Sequence, residues 1–374
     1  MDEAPESDRL LDFPHPREQS GLVGHAVAEH KRLTAYASGK MPHAWIIGGP
    51  RGVGKATLAY RMARFVFAHP DPTEENLAQS PDGLFVAPED AVFKRVAGLG
   101  HADLYVARRP YDPKSKRLRT EITADQVRKT SRFYAHTAGE GGWRICIIDA
   151  ADDMNRTAAN ALLKILEEPP ARALFFLVSH TPGRLLPTIK SRCVALNLRP
   201  LSLSDFSNVL TSHLGPDELP GPGEMAELRE LCGGGPGQAL ALIRGKGWET
   251  FKAFNRLMER LPNLDAGACA GFAEKLGARG ADDEYRTFCR LLTEWLAARI
   301  RSRALGGATA GEPAEISPLE RFMTPGRLDA WAGAWQQISR SIARANALNL
   351  DRKHTILQTL YTLEETASAR NANG

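Results

Sequence analysis

The chain has 374 residues, 25% of them charged and 43% hydrophobic, which is room for about two or three domains with their own cores. Forty-eight Lys and Arg against 44 Asp and Glu leave a net charge of +4, too mild to single out a nucleic-acid partner. Five scattered cysteines (Cys146, Cys193, Cys232, Cys269, Cys289) form no CxxC pair, which excludes a disulfide framework and a zinc quartet. The start is acidic, without the pattern of a signal peptide, and no apolar run approaches the ~20 residues of a membrane span. The expectation is a reduced, cytoplasmic protein with no membrane contact.

Up to about Pro200, short apolar runs alternate with amphipathic stretches, the texture of a parallel α/β domain. The first run, Ala44-Trp45-Ile46-Ile47, enters a glycine-rich turn, Gly48-Gly49-Pro50-Arg51-Gly52-Val53-Gly54-Lys55. An amphipathic stretch with Leu58, Met62, Phe65 and Val66 leaves it. Strand, loop and helix in that order make a phosphate-binding loop. Glycines let backbone N–H groups curl inward, and the helix N-terminus adds partial positive charge. Gly49, Gly52, Gly54 and Lys55 fit the pattern, but Ala56 stands where a metal-ligating hydroxyl belongs. Thr57 is one residue late and turned by ~100° around the helix, a poor substitute.

The Pro- and acid-rich stretch from His69 to Asp90 reads as a surface excursion. Arg108, Arg109, Lys114, Lys116, Arg117 and Arg119 stand against one acid, Asp112, and read as a solvated hairpin or loop or, less readily, a nucleic-acid contact. Next, Arg144-Ile145-Cys146-Ile147-Ile148-Asp149 describes a buried parallel strand that delivers Asp149 to its carboxyl edge. An ATPase of this type follows that aspartate with a glutamate that activates water; here the residue is Ala150. Asp152 reads as a helix-entry cap rather than a replacement base.

A short helical region from Leu201 to about Gly245 is broken by Gly215–Pro222 and Gly233–Gly237. From about Lys252 to Ala369 the periodicity is helical. Leu328, Trp331, Trp335, Ile338 and Ile342 share one face, and Asp351 is placed to cap the next helix. Gly306–Pro318 reads as a loop.

Several segments together carry a family resemblance. They are Asn160-Ala161-Leu162-Leu163-Lys164-Ile165-Leu166-Glu167-Glu168-Pro169-Pro170, Leu185-Leu186-Pro187-Thr188-Ile189-Lys190-Ser191-Arg192-Cys193, Leu22-Val23-Gly24-His25, Asp125-Gln126-Val127-Arg128 and Ala347-Leu348-Asn349-Leu350-Asp351-Arg352-Lys353. Over about residues 20–365 the chain resembles the AAA+ clamp-loader subunits of bacterial DNA polymerase III. Its degenerate nucleotide site is similar to the delta prime branch rather than the ATP-hydrolysing gamma/tau branch.

The resemblance implies an α/β P-loop AAA+ module over 1–200, its parallel sheet flanked by helices. A small helical lid over 201–248 and an all-α collar over 249–374 would follow. It implies that Arg192 is an arginine finger acting in trans on a neighbouring gamma/tau ATP site. Gly49, Gly52, Gly54, Lys55, Thr57 and Asp149 would form a degenerate nucleotide site. No cofactor would be required, and residual ATP or ADP binding would be unproductive. Arg128, Lys129, Arg132 and Arg156 are the DNA-contact candidates.

Implied partners are gamma/tau and delta subunits, with the sliding clamp and primer-template DNA reached through the complex. The chain would be a component of a DNA-directed DNA polymerase holoenzyme, a nucleotidyltransferase complex, without polymerase or ATPase activity of its own. The alternative is an independently active P-loop ATPase of gamma/tau type. Two departures stand out. Gly237 occupies the place of a phosphate-sensing arginine, and no cysteine lies between the loop and the Arg144–Asp149 strand, so the family's zinc module is absent or metal-free.

Overall fold

A computed structural model describes residues 6–10, 13–74, 77, 83–115, 117–135, 138–139, 142–305 and 318–369. In chain order the α/β part runs α1 (Ala26–Ala37), β1 (Ala44–Gly48), α2 (Lys55–Ala68), α3 (Ala91–Ala97), β2 (Leu104–Arg108), β3 (Tyr111–Asp112), β4 (Arg117–Leu118), α4 (Ala124–Ala135), β5 (Arg144–Asp149), α5 (Arg156–Glu167), β6 (Ala173–Ser179), α6 (Pro187–Lys190), β7 (Val194–Asn197) and α7 (Leu203–His213). The helical part follows as α8 (Pro222–Leu231), α9 (Pro236–Arg244), α10 (Gly247–Met258), α11 (Ala266–Gly277), α12 (Asp282–Ala304), α13 (Leu328–Leu348) and α14 (Arg352–Ser368). These form two compact units, Met1–Leu219 with Cys232–Gln238, and Pro220–Leu231 with Ala239–Gly374. The segment 201–248 is divided between them, α7 in the first and α8 in the second.

In the first unit, five parallel strands lie in the order β2-β5-β6-β1-β7. Successive side chains of a strand face opposite ways, so an all-apolar run is stable only where both faces are covered. Trp45, Ile47, Ile145, Ile147, Leu174, Phe176 and Val178 face a core shared with Leu33, Leu58, Phe65 and Phe93 from α1, α2 and α3. Ala44, Ile46, Cys146, Ile148, Phe175 and Leu177 face the other core, with Val127, Tyr134, Leu162 and Ile165 from α4 and α5. Each large apolar side chain buried this way contributes about 1.5–3 kcal/mol, and together they hold the strand ends in register.

The expected surface excursion is more tightly held than its composition implied. Leu77, Leu84 and Val86 are buried in the first of these cores, because the few apolar residues of a polar stretch are its anchors.

The second unit is helical. Phe254 and Phe288 meet edge to face at 5.4 Å, and Phe251 and Trp295 at 5.8 Å. The α13 stripe packs as its spacing dictates, with Trp331, Ile338 and Ile342 buried and Leu328 and Trp335 half-buried. Asp351 caps α14, its carboxylate accepting from the His354 N–H at 2.8 Å. The expected loop after Gly306 lies outside the described residues as far as 317.

Candidate functional site

A parallel sheet collects its strand-end loops on two edges, and the proposed residues divide between them. On the carboxyl edge, β1 runs into Gly49–Gly54 and on into α2, as the glycine spacing predicts. Gly49, Gly52 and Gly54 all have positive φ. Gly52 is the tightest of them. Its carbonyl accepts from the Gly237 N–H at 2.9 Å, and a Cβ there would stand 2.2 Å from the Gln238 nitrogen. The glycine-rich 233–237 turn therefore packs directly on the phosphate loop through the Gly237 backbone.

Lys55 is buried, and its ammonium donates to the loop's own carbonyls, Gly49 O at 2.8 Å and Pro50 O at 2.5 Å. Burial lowers its pKa to about 8, opposed by the Asp149 charge. Asp149 ends β5 within electrostatic reach; burial, with Asp8 behind it, raises its pKa to about 7. Thr57 is the third residue of α2 and half-buried.

Asp152 has a different task from the expected cap. It sits in a short 3-10 turn over Ala151–Asp153 and accepts from Ser179 Oγ (2.9 Å), His180 N (2.5 Å) and Thr181 N (3.0 Å). With both oxygens bracing the end of β6, it is a tie between strand ends. Sequence reasoning also passed over His180. The ring lies at this edge with Nδ1 buried and unpartnered, its pKa pushed down to about 3 by burial and by Lys55 and Arg51. The available signal was its position, the first residue after a seven-residue buried strand.

The basic run from Arg108 to Arg119 separates into two behaviours. Arg108 pairs with Glu6 (2.5 Å) and Asp8 (2.9 Å), and Arg109 with Asp153 (3.0 Å). Tyr111–Asp112 and Arg117–Leu118 form an antiparallel hairpin on which Lys114, Arg117 and Arg119 are exposed, while Lys116 lies outside the described residues.

Among the described residues, Glu6, Asp8 and His15 bring three potential metal-ligand atoms within 4.8 Å. They do not suit an ion. The Arg17 N–H donates to His15 Nδ1 at 3.1 Å, so in the neutral ring Nε2 carries the proton, 3.2 Å from Asp8 Oδ2, and has no lone pair to give. Arg17 and Arg108 already balance the carboxylates.

On the amino edge stands Arg192, in the turn between α6 and β7. Val194 opens β7 opposite Trp45, near the start of β1, whereas the phosphate loop leaves the far end of that strand. At ~3.3 Å per residue, roughly 13 Å of sheet separates the two levels, beyond the reach of one arginine side chain. Arg192 is half-buried, and it pairs with Glu167.

The four remaining candidates lie on α4 and α5, whose starts are brought side by side by a parallel bridge between Ile122 and Met154. Arg128, Lys129 and Arg132 are exposed on α4, Arg128 pairing with Asp125 at 2.8 Å, and Arg156 is the exposed first residue of α5. Asn155 caps α5, accepting from the Ala158 N–H at 2.9 Å.

The family model described as "DNA polymerase III, delta subunit" matches residues 27–202. The chain is similar to DNA polymerase III subunit delta' of Pseudomonas aeruginosa, 36% identical over 195 residues that cover 52% of this chain and 53% of that one. With subunit delta' of Escherichia coli K12 it is 26% identical over 338 residues, 89% of this chain and 92% of the relative. With subunit tau of Salmonella typhimurium it is 25% identical over 334 residues, 82% of this chain and 48% of the relative. The chain thus spans about half the length of the Pseudomonas and Salmonella relatives. No helix among the described residues is long and apolar enough to cross a membrane.

Proposed function

We propose that this chain, which is similar to delta prime and tau subunits of DNA polymerase III, is a non-hydrolysing clamp-loader member that completes a loader ring. In this reading it lends Arg192 to the ATP site of a neighbouring gamma/tau-type subunit. Together with gamma/tau and delta subunits it helps place a sliding clamp on primed DNA during replication. It is cytoplasmic and part of the polymerase holoenzyme, and has neither polymerase nor ATPase activity of its own. The 1–200 module, the 201–248 lid and the 249–374 collar are the parts such a subunit would use.

The observation that carries the reading is the separation of Arg192 from its own phosphate loop. An arginine that cannot reach its own site serves phosphoryl transfer only next door. The loop itself supports the same view. Ala56 offers no metal ligand and Ala150 no base. Nucleotide held there would be unproductive.

Arg128, Lys129, Arg132 and Arg156 suit contact with a DNA backbone, because two adjacent helix N-termini add partial positive charge to theirs. Arg128 is partly committed to Asp125.

Reconstitution with gamma/tau- and delta-type subunits tests the proposal. The chain alone should turn over no ATP, and Arg192→Ala should lower the DNA-stimulated ATPase of the complex by tenfold or more without preventing assembly; trans arginines contribute about 10³–10⁵ in rate. Turnover by the isolated chain that disappears in Lys55→Ala would instead establish an active gamma/tau-type ATPase.

A further inference from the structure

Arg192 is not loose on its turn. Its Nη2 donates to Glu167 Oε1 at 2.7 Å, and its Nη1 to the Thr188 carbonyl at 2.9 Å and to Ser191 Oγ at 3.3 Å. Glu167 is the last residue of α5, where unsatisfied carbonyls add partial negative charge. The seat is thus a carboxylate, a backbone carbonyl and a helix C-terminus, each favouring a cation.

A guanidinium fork meets a carboxylate and a phosphate with the same planar geometry. Glu167 gives Arg192 in the free subunit what a phosphate oxygen would give it elsewhere. Both side chains are a third to a half exposed, so the pair is screened and easily exchanged.

We infer that Glu167 is a positioning residue for Arg192, parking the guanidinium at the amino edge until a more highly charged phosphate on a neighbouring subunit displaces the carboxylate. The inference rests on the trans-arginine reading above. The terminal phosphate of a nucleoside triphosphate outcompetes one carboxylate. A diphosphate, which lacks that group, leaves the arginine on Glu167. Parking therefore makes the contact depend on the nucleotide next door and keeps the arginine off other anions.

The test compares Glu167→Gln with Glu168→Gln, the neighbouring exposed carboxylate, as control. In the full chain alone, modification of Arg192 by phenylglyoxal, followed by peptide mass mapping, should be about two- to fivefold faster in Glu167→Gln at low salt. The difference should shrink in 1 M NaCl, a concentration at which screening extends only ~3 Å, and Glu168→Gln should match the parent.

In the reconstituted complex, Glu167→Gln should raise kcat/KM for ATP by about two- to fivefold, a gain that loss of a merely structural contact would not produce. Equal modification rates would overturn the parking contact. Faster modification with unchanged or lower kcat/KM would overturn its role while leaving the trans-arginine reading intact. Full ATPase in Arg192→Ala would overturn that reading, and this inference with it.

Discussion

The two edges of one sheet treat their polar residues in opposite ways. At the carboxyl edge, Lys55 and Asp149 are buried, and Lys55 is tied to the carbonyls of its own loop. At the amino edge, Arg192 rests on a partly exposed carboxylate in an easily broken pair. The glycine-rich loop is packed into the fold, and its mutation should be read in stability. The arginine contributes little to the fold, and under the proposed trans role its mutation should be read in a partner's chemistry.

Asp149 gives the largest expected stability effect. Its folded pKa, about 7, is raised above the ordinary 3.8, so the folded state favours the protonated carboxyl. The stability it contributes is fully present below about pH 4 and is lost as pH rises through 7. Asp149→Asn should remove that loss and stabilise the chain at pH 7.5 by about 2–4 kcal/mol, with little change at pH 4. Urea unfolding across this range checks it, and parallel profiles for the two proteins would break the picture of a buried, proton-favouring edge.

Gly52→Ala comes next, at about 3 kcal/mol, because left-handed backbone and the close Gln238 nitrogen both oppose a Cβ. Gly39→Ala has a similar positive φ and open space around it, so it should cost only about 1–2 kcal/mol. The difference between the two denaturation midpoints measures how closely the 233–237 turn approaches the loop. Asn155→Ala, which removes the cap of α5, should cost about 1 kcal/mol in the same assay. The smallest effect belongs to Glu167→Gln, under ~0.5 kcal/mol, and a larger loss would show that the amino edge is structural after all.

Much of this was legible from local pattern. The glycine spacing at 49, 52 and 54 and the all-apolar runs of β1, β5 and β6 follow from two-residue alternation and from the backbone freedom a tight turn requires. The α13 stripe and the Asp351 cap follow from helical spacing. Local pattern reads Asp152 as a helix-entry cap and misses its true role, because its donors, Ser179, His180 and Thr181, lie 27 to 29 residues away. The Arg108 pairs are still more remote, spanning about a hundred residues. No periodicity spans such distances.

By itself, then, the sequence determined which side chains stand at these positions, since Ala56, Ala150 and Gly237 carry no metal ligand, base or cation in any conformation. It also determined the elements, whose periodicities are local. Only the tertiary structure decided where the surviving charges stand. The parallel crossovers that return each strand to the same edge send the phosphate loop to one end of the sheet and Arg192 to the other. They bring the end of α5 beside α6, so that Glu167 meets an arginine 25 residues further along the chain. Such pairings depend on how the crossovers pack rather than on any residue's near neighbours in sequence.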